Sequence, residues 1–86
     1  MNLYKLIQID NNDYDTFDSA IVIAPSEEVA VLVHPRHGLL SENDPLWDEN
    51  YSSWVHHSNV TATLIGIADP SFGTEPYVIL ASFNAG

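Results

Sequence analysis

The apolar residues of this chain fall into short runs divided by turn-forming clusters, and that punctuation limits the fold more than any other feature. Residues 3–9 (LYKLIQI), 19–24 (SAIVIA), 60–67 (VTATLIGI) and 77–83 (YVILASF) are rich in β-branched or aromatic side chains and are flanked by Asn, Asp, Pro, Gly and Ser. Runs of this length and composition are strands between turns. In the first, Ile7 and Ile9 are expected to point inward, with Tyr4 and Leu6 on the opposite face; apolar residues on both faces mark a central strand or one whose second face is partly covered. The third alternates Val60, Ala62 and Leu64 against Thr61 and Thr63, a strand with one half-solvated face.

Only one segment carries helical spacing. Pro25, Ser26, Glu27 and Glu28 read as a helix start, with Ser26 capping free amides and the two acids in the first turn, where the helix dipole favours negative charge. Val29, Leu32 and Val33 then form one apolar stripe, and Pro35 stops the helix by pushing the residue before it out of helical geometry. Such a helix runs to about two or three turns and needs tertiary packing to hold. Residues 10–18 (DNNDYDTFD) favour turns through side-chain bonds to nearby amides. Residues 69–73 read as a turn joining the last two strands as an antiparallel hairpin with a longer loop. Residues 36–59 show no sustained period and form a long loop.

The expected architecture is α+β: a four-stranded, mainly antiparallel sheet in the order β-β-α-β-β, one short helix on one face, and a long loop between helix and third strand. With 86 residues the chain, 1–86, makes one domain. A domain so small hides about 60 to 65% of its unfolded surface, so a partner or a second copy would add needed burial, and a homodimer is open on that ground. The absence of cysteine excludes disulfides, thiolate metal sites and cysteine nucleophiles and fits a reducing cytoplasm. The first ten residues read as a strand rather than a signal peptide or membrane span.

Charge narrows the function classes. Twelve acidic residues face only Lys5 and Arg36, a formal net charge of −10. Direct contact with nucleic acid or an anionic membrane is disfavoured, because both need Lys and Arg. The same charge favours fast, salt-sensitive association with basic surfaces, including the nucleic-acid grooves of other proteins.

Residue patterns that would carry catalysis are weak. His34, His37, His56 and His57 invite a metal, but Pro35 interrupts the first pair and neighbours in a strand point to opposite sides, so no metal is assigned. The acids at 10–18 lack the alternation, glycine and twelfth-position Glu of a calcium loop. No strained Gly-x-Ser-x-Gly turn or Gly-rich phosphate loop occurs. Neither an enzyme nor a cofactor is expected.

Binding is the better expectation. Trp47, Tyr51 and Trp54 stand in the long loop, and Trp and Tyr are enriched at binding hot spots. The competing role for the tryptophans is to fold back over the open sheet face and complete the core. The candidate partner-binding residues are Asp10, Asp13, Asp15 and Asp18 of the first turn, with Glu42, Asp44, Trp47, Asp48, Glu49, Tyr51 and Trp54 of the loop.

Residues 14–19 (YDTFDS), 26–35 (SEEVAVLVHP) and 81–86 (ASFNAG), under half of the chain, resemble a set of small proteins carried by bacteriophages and prophages. The resemblance implies a phage accessory protein, a class rich in inhibitors of host machinery such as anti-CRISPR proteins, and implies no particular chemistry. Joined to the charge, it leads to an inhibitor in the host bacterial cytoplasm that occupies a basic nucleic-acid-binding surface, its carboxylates standing where phosphates would. The alternatives are a binder that sequesters a nucleotide signal and a homo-oligomeric structural phage protein pairing through an exposed C-terminal edge strand.

Overall fold

A computed structural model describes residues 1–9, 16–49 and 54–84. Four strands, β1 (Asn2–Ile7), β2 (Thr16–Ala24), β5 (Thr61–Ile67) and β6 (Tyr77–Asn84), form one sheet in the order β5-β1-β2-β6, every pair antiparallel. Between β2 and β5 lie helix α1 (Glu27–Ala30), a two-stranded hairpin of β3 (Val33–His34) and β4 (Gly38–Leu39), helix α2 (Leu46–Glu49) and a 3-10 turn (His57–Asn59). The fold is thus α+β and mostly strand. Among the described residues no helix is long and apolar enough to cross a membrane.

The register explains how one side of the sheet becomes core. Leu6 lies between Ala20 and Ala62, and Ala20 is paired in turn with Ala81, so three alanines share a row with one leucine across all four strands. Such a row leaves a trough. Trp47 and Trp54 belong to the same buried cluster, with Tyr4, Val22, Ala24, Ala30 and Val33. Each indole removes about 150–250 Å² from water, worth roughly 4 to 6 kcal/mol of transfer free energy as an upper estimate.

Four expectations need correction. The stretch 36–59, expected as one long loop, holds β4, α2 and the 3-10 turn, ordered by the burial of Trp47 and Trp54, so the order is not a simple β-β-α-β-β with one helix. In β1 the buried residues are Tyr4 and Leu6, while Ile9 is 78% exposed, because the alanine row and the indoles set which face is covered. Buried Gln8 follows the same face and donates from Nε2 to the Phe17 carbonyl at 3.0 Å. The helix keeps its start, with Ser26 Oγ accepting from Val29 N at 3.4 Å, yet it ends at Ala30. The β-branched residues Val31 and Val33 resist helix, and Val33 pairs with Leu39 instead across a turn at residues 35–37, closed by Gly38 at φ +76°. Pro35 sits in that turn rather than at a helix end.

The last two strands are not a hairpin. β1 and β2, apolar on both faces, take the centre, so β5 pairs outside β1 and β6 outside β2 at opposite edges. Residues 68–76, including a 3-10 turn at Pro70–Phe72, carry the chain from one edge to the other. Asp69 caps that turn by accepting from Ser71 N at 2.8 Å, and this bond holds its carboxyl below the usual range.

The two indoles differ in one bond. Trp47 Nε1 donates to the Ser41 carbonyl at 2.8 Å, whereas Trp54 Nε1 is buried with no acceptor among the described residues. A neutral hydrogen bond is worth about 1 kcal/mol net. Trp47→Phe is therefore expected to destabilise the chain by about 1 kcal/mol more than Trp54→Phe, read from urea midpoints at constant slope.

Candidate functional site

The layer over the sheet brings together residues far apart in sequence. Asp44 starts α2, its Oδ1 accepting from Leu46 N at 2.9 Å, and so points Trp47 at the sheet. Three of the four histidines then gather around Trp47, and the fourth joins through His34. His34 and His57 lie 5.6 and 5.1 Å from the indole between ring centroids, and His56 lies at 6.2 Å. His37 packs on His34 at 4.7 Å and His56 on His57 at 4.2 Å, both pairs tilted.

Nothing in the residue spacing signals this assembly. The β3–β4 turn folds His37 back on His34, and His56 and His57 are side by side because a 3-10 turn begins there, where a strand would have sent them apart. Three of these rings are tied to nearby groups. His34 Nδ1 accepts from Arg36 N at 3.0 Å, His57 Nε2 donates to the Glu42 carbonyl at 2.9 Å, and His56 Nδ1 accepts from Ser58 N at 3.2 Å. Among the described residues no group of three or more His, Asp or Glu is disposed to hold a metal ion.

The other expected site residues separate into several kinds. Trp47 is 2% exposed and Trp54 0%, so the core role describes both, and neither ring is presented to a partner. Asp44 is half-buried and caps α2; Glu49 ends that helix. Glu42 and Asp48 are exposed on the covering layer, and Asp18 is exposed on β2 where the register with β6 slips. Asp10, Asp13, Asp15 and Tyr51 lie outside the described residues.

Two carboxylates that the helix-start reading had absorbed join the surface: Glu27 and Glu28 are exposed on α1. Glu28 and Glu42, with Val31, Leu32 and His57, line a shallow cavity of about 390 Å³. An apolar floor between two carboxylates suits a long basic side chain, whose methylenes rest on Val31 and Leu32 while its head meets both acids.

The two cations are placed away from these acids. Arg36 lays its guanidinium 5.6 Å from the Phe17 ring and 5.8 Å from Phe83, two rings that themselves pack at 4.7 Å. Lys5 stands on the opposite side of the sheet, in the row with Ile21 and Thr63. Among the described residues neither forms an ion pair with a carboxylate.

His34 links this layer to pH. Burial, then the nearby His37 and Arg36, lower its pKa from 6.5 to about 4. The unfolded chain therefore binds a proton before the folded one does, so stability contributed by neutral His34 is complete above pH 6.5 and is lost as pH falls toward 4. Urea midpoints measured from pH 7 to 4 should fall, and His34→Asn, whose Oδ1 can accept from Arg36 N as Nδ1 does, should flatten that fall. Identical slopes for the two proteins would exclude His34 as the cause.

Comparisons of the chain with protein-family models, with curated proteins and with solved structures match none of them.

Proposed function

We propose that the chain is a non-catalytic binding protein whose acidic covering layer docks on a basic protein surface of the kind that holds nucleic acid, and so inhibits it. The observation that carries this is the excess of acid on the covering layer. Glu27, Glu28, Glu42 and Asp48 are exposed on the covering layer, while Arg36 is stacked on Phe17 and Phe83 and Lys5 lies across the sheet. A predominantly acidic surface raises the encounter rate with a basic one and repels nucleic acid itself.

The cavity between Glu28 and Glu42 is the docking point for a Lys or Arg of the partner. A phosphate-bearing small ligand fits it poorly, since two carboxylates repel what helix amides and cations would have to hold. The likeness to small phage proteins agrees with a partner in host nucleic-acid-processing or defence complexes, including CRISPR effectors, and with action in the bacterial cytoplasm.

The test is affinity capture from a bacterial lysate with the tagged chain, at about 50 and about 500 mM salt, where the screening length falls from roughly 14 to roughly 4 Å. A nucleic-acid-processing protein should be retained at low salt, released at high salt and displaced by added DNA or RNA. The double variant Glu28→Gln/Glu42→Gln should retain about tenfold less of it, equivalent to about 1.4 kcal/mol. Capture indifferent to salt and to the two glutamates would sink the reading.

A further inference from the structure

The sheet has two free edges, and they differ in the charges beside them. Among the described residues neither β5 nor β6 has an outer partner, and neither strand holds a charged side chain or a proline. Beside β5 packs α1, with Glu27 and Glu28 exposed. Beside β6 packs the β3–β4 hairpin, which does not join its sheet and which places the Arg36 guanidinium 5.8 Å from the Phe83 ring. Arg36 forms no ion pair with a carboxylate among the described residues, and Glu75, two residues before β6, is exposed and likewise without one.

We propose that the β6 edge pairs with the β6 edge of a second copy, antiparallel about a two-fold axis normal to the sheet, giving one continuous sheet with four strands from each copy. An unpaired edge is a row of backbone N–H and C=O groups that another strand can satisfy, and here one patch meets itself. The alternation of faces allows it. Val78 and Ala81 pack against the indole cluster, and Phe83 joins them through Phe17. Leu80 and Ser82 stand on the other side with Lys5, and Ile79 is the extra residue at a slip in register. An axis at Ala81 therefore sets Ala81 against its own copy, Leu80 against Ser82, and Val78 against Phe83, each pair on one face of the sheet.

Charge selects both this edge and this occupant. Antiparallel pairing carries the Phe83 end of each strand to the Tyr77 end of the other, so Arg36 of one copy meets the corner that holds Glu75 of the second, and symmetry repeats the contact. Joining through β5 would instead oppose the glutamates of the two α1 helices with no cation between them. Lys5 stays in water on the outer side of the sheet. Both covering layers face the same way, so the pair is compatible with docking on one basic surface and does not rest on it. A contact one strand long is smaller than the roughly 800 Å² per partner of a stable interface, which makes the association reversible.

Sedimentation velocity on the full chain from about 10 μM to about 1 mM should show a monomer–dimer equilibrium. Hydrogen exchange should slow with concentration at the β6 amides and not at those of β5. Glu75→Arg and Arg36→Glu should each weaken the dimer about tenfold, and Arg36→Glu/Glu75→Arg should recover most of that loss, which a merely disturbed fold would not do. Leu80→Lys, at a position 64% exposed, should also weaken it, because a lysine on an edge strand opposes pairing. Thr63→Lys, on the same face but at the β5 edge, should leave the dimer intact, as should Glu28→Gln/Glu42→Gln on the covering layer, so loss of docking and loss of the dimer are separate results. A monomer at every concentration, a dimer indifferent to both charge reversals, no recovery in the double reversal, or open-ended polymers would each overturn the proposal.

Discussion

Everything above the sheet depends on the burial of Trp47 and Trp54 over a row of small residues. The segments between β2 and β5 contain two helices of four residues each and a hairpin with two residues per strand. None of these is stable alone, since a helix needs about 12–15 residues before it holds in water and an isolated hairpin is marginal at best. They are ordered by what they cover. Asp44 caps α2, α2 aims Trp47, the indole reaches back to the Ser41 carbonyl, and the histidine rings close around it. The covering layer is thus a set of local bonds that fix orientation and two large side chains that supply the driving force.

The placement of cations follows from the same packing. Arg36 extends from the β3–β4 turn over Phe17 and Phe83, and so joins the covering layer to the ends of β2 and β6. A cation over aromatic rings contributes about 0.5–1 kcal/mol at a partly exposed site. That contact engages one of the chain's two basic side chains on the covering layer, and β1 holds the other on the far side. The asymmetry of charge between the two sides is therefore a result of packing as well as of composition.

Much of the sheet was legible in the residues, and the reason is period. All four main strands announce themselves by β-branched and aromatic runs between turn residues, and β1 is central, as its two apolar faces require. What period cannot supply is which of two apolar faces is covered. In β1 that decision came from Ala20, Ala62 and Ala81 on neighbouring strands and from indoles some 40 residues on, so Tyr4 and Leu6 went inward and Ile9 out. Nor can it distinguish a last pair of strands that meet from a pair that flank a central couple, since both satisfy the same alternation. The site was less legible still. Tryptophan in an irregular loop marks a hot spot and a core plug equally well, and the histidine assembly is made by two turns with no shared spacing. The exposed acids were visible from charge alone, but their nearness to Val31 and Leu32 was not, because that depends on where α1 stops.

The thinness of the molecule connects its two sides. In a molecule 17 Å through, Leu80 and Tyr77 on the side of the sheet away from the indoles stay exposed. In a larger α+β domain a second layer would cover them; here 86 residues do not suffice. Such a chain has two ways to treat the bare face: make it polar, as Thr61, Thr63, Ser19 and Ser82 begin to do, or cover it, as Leu3, Ile7, Ile21 and Leu80 require. The near-even mixture suits a reversible interface better than a permanent one, because interfaces that dissociate are about as apolar as ordinary protein surface.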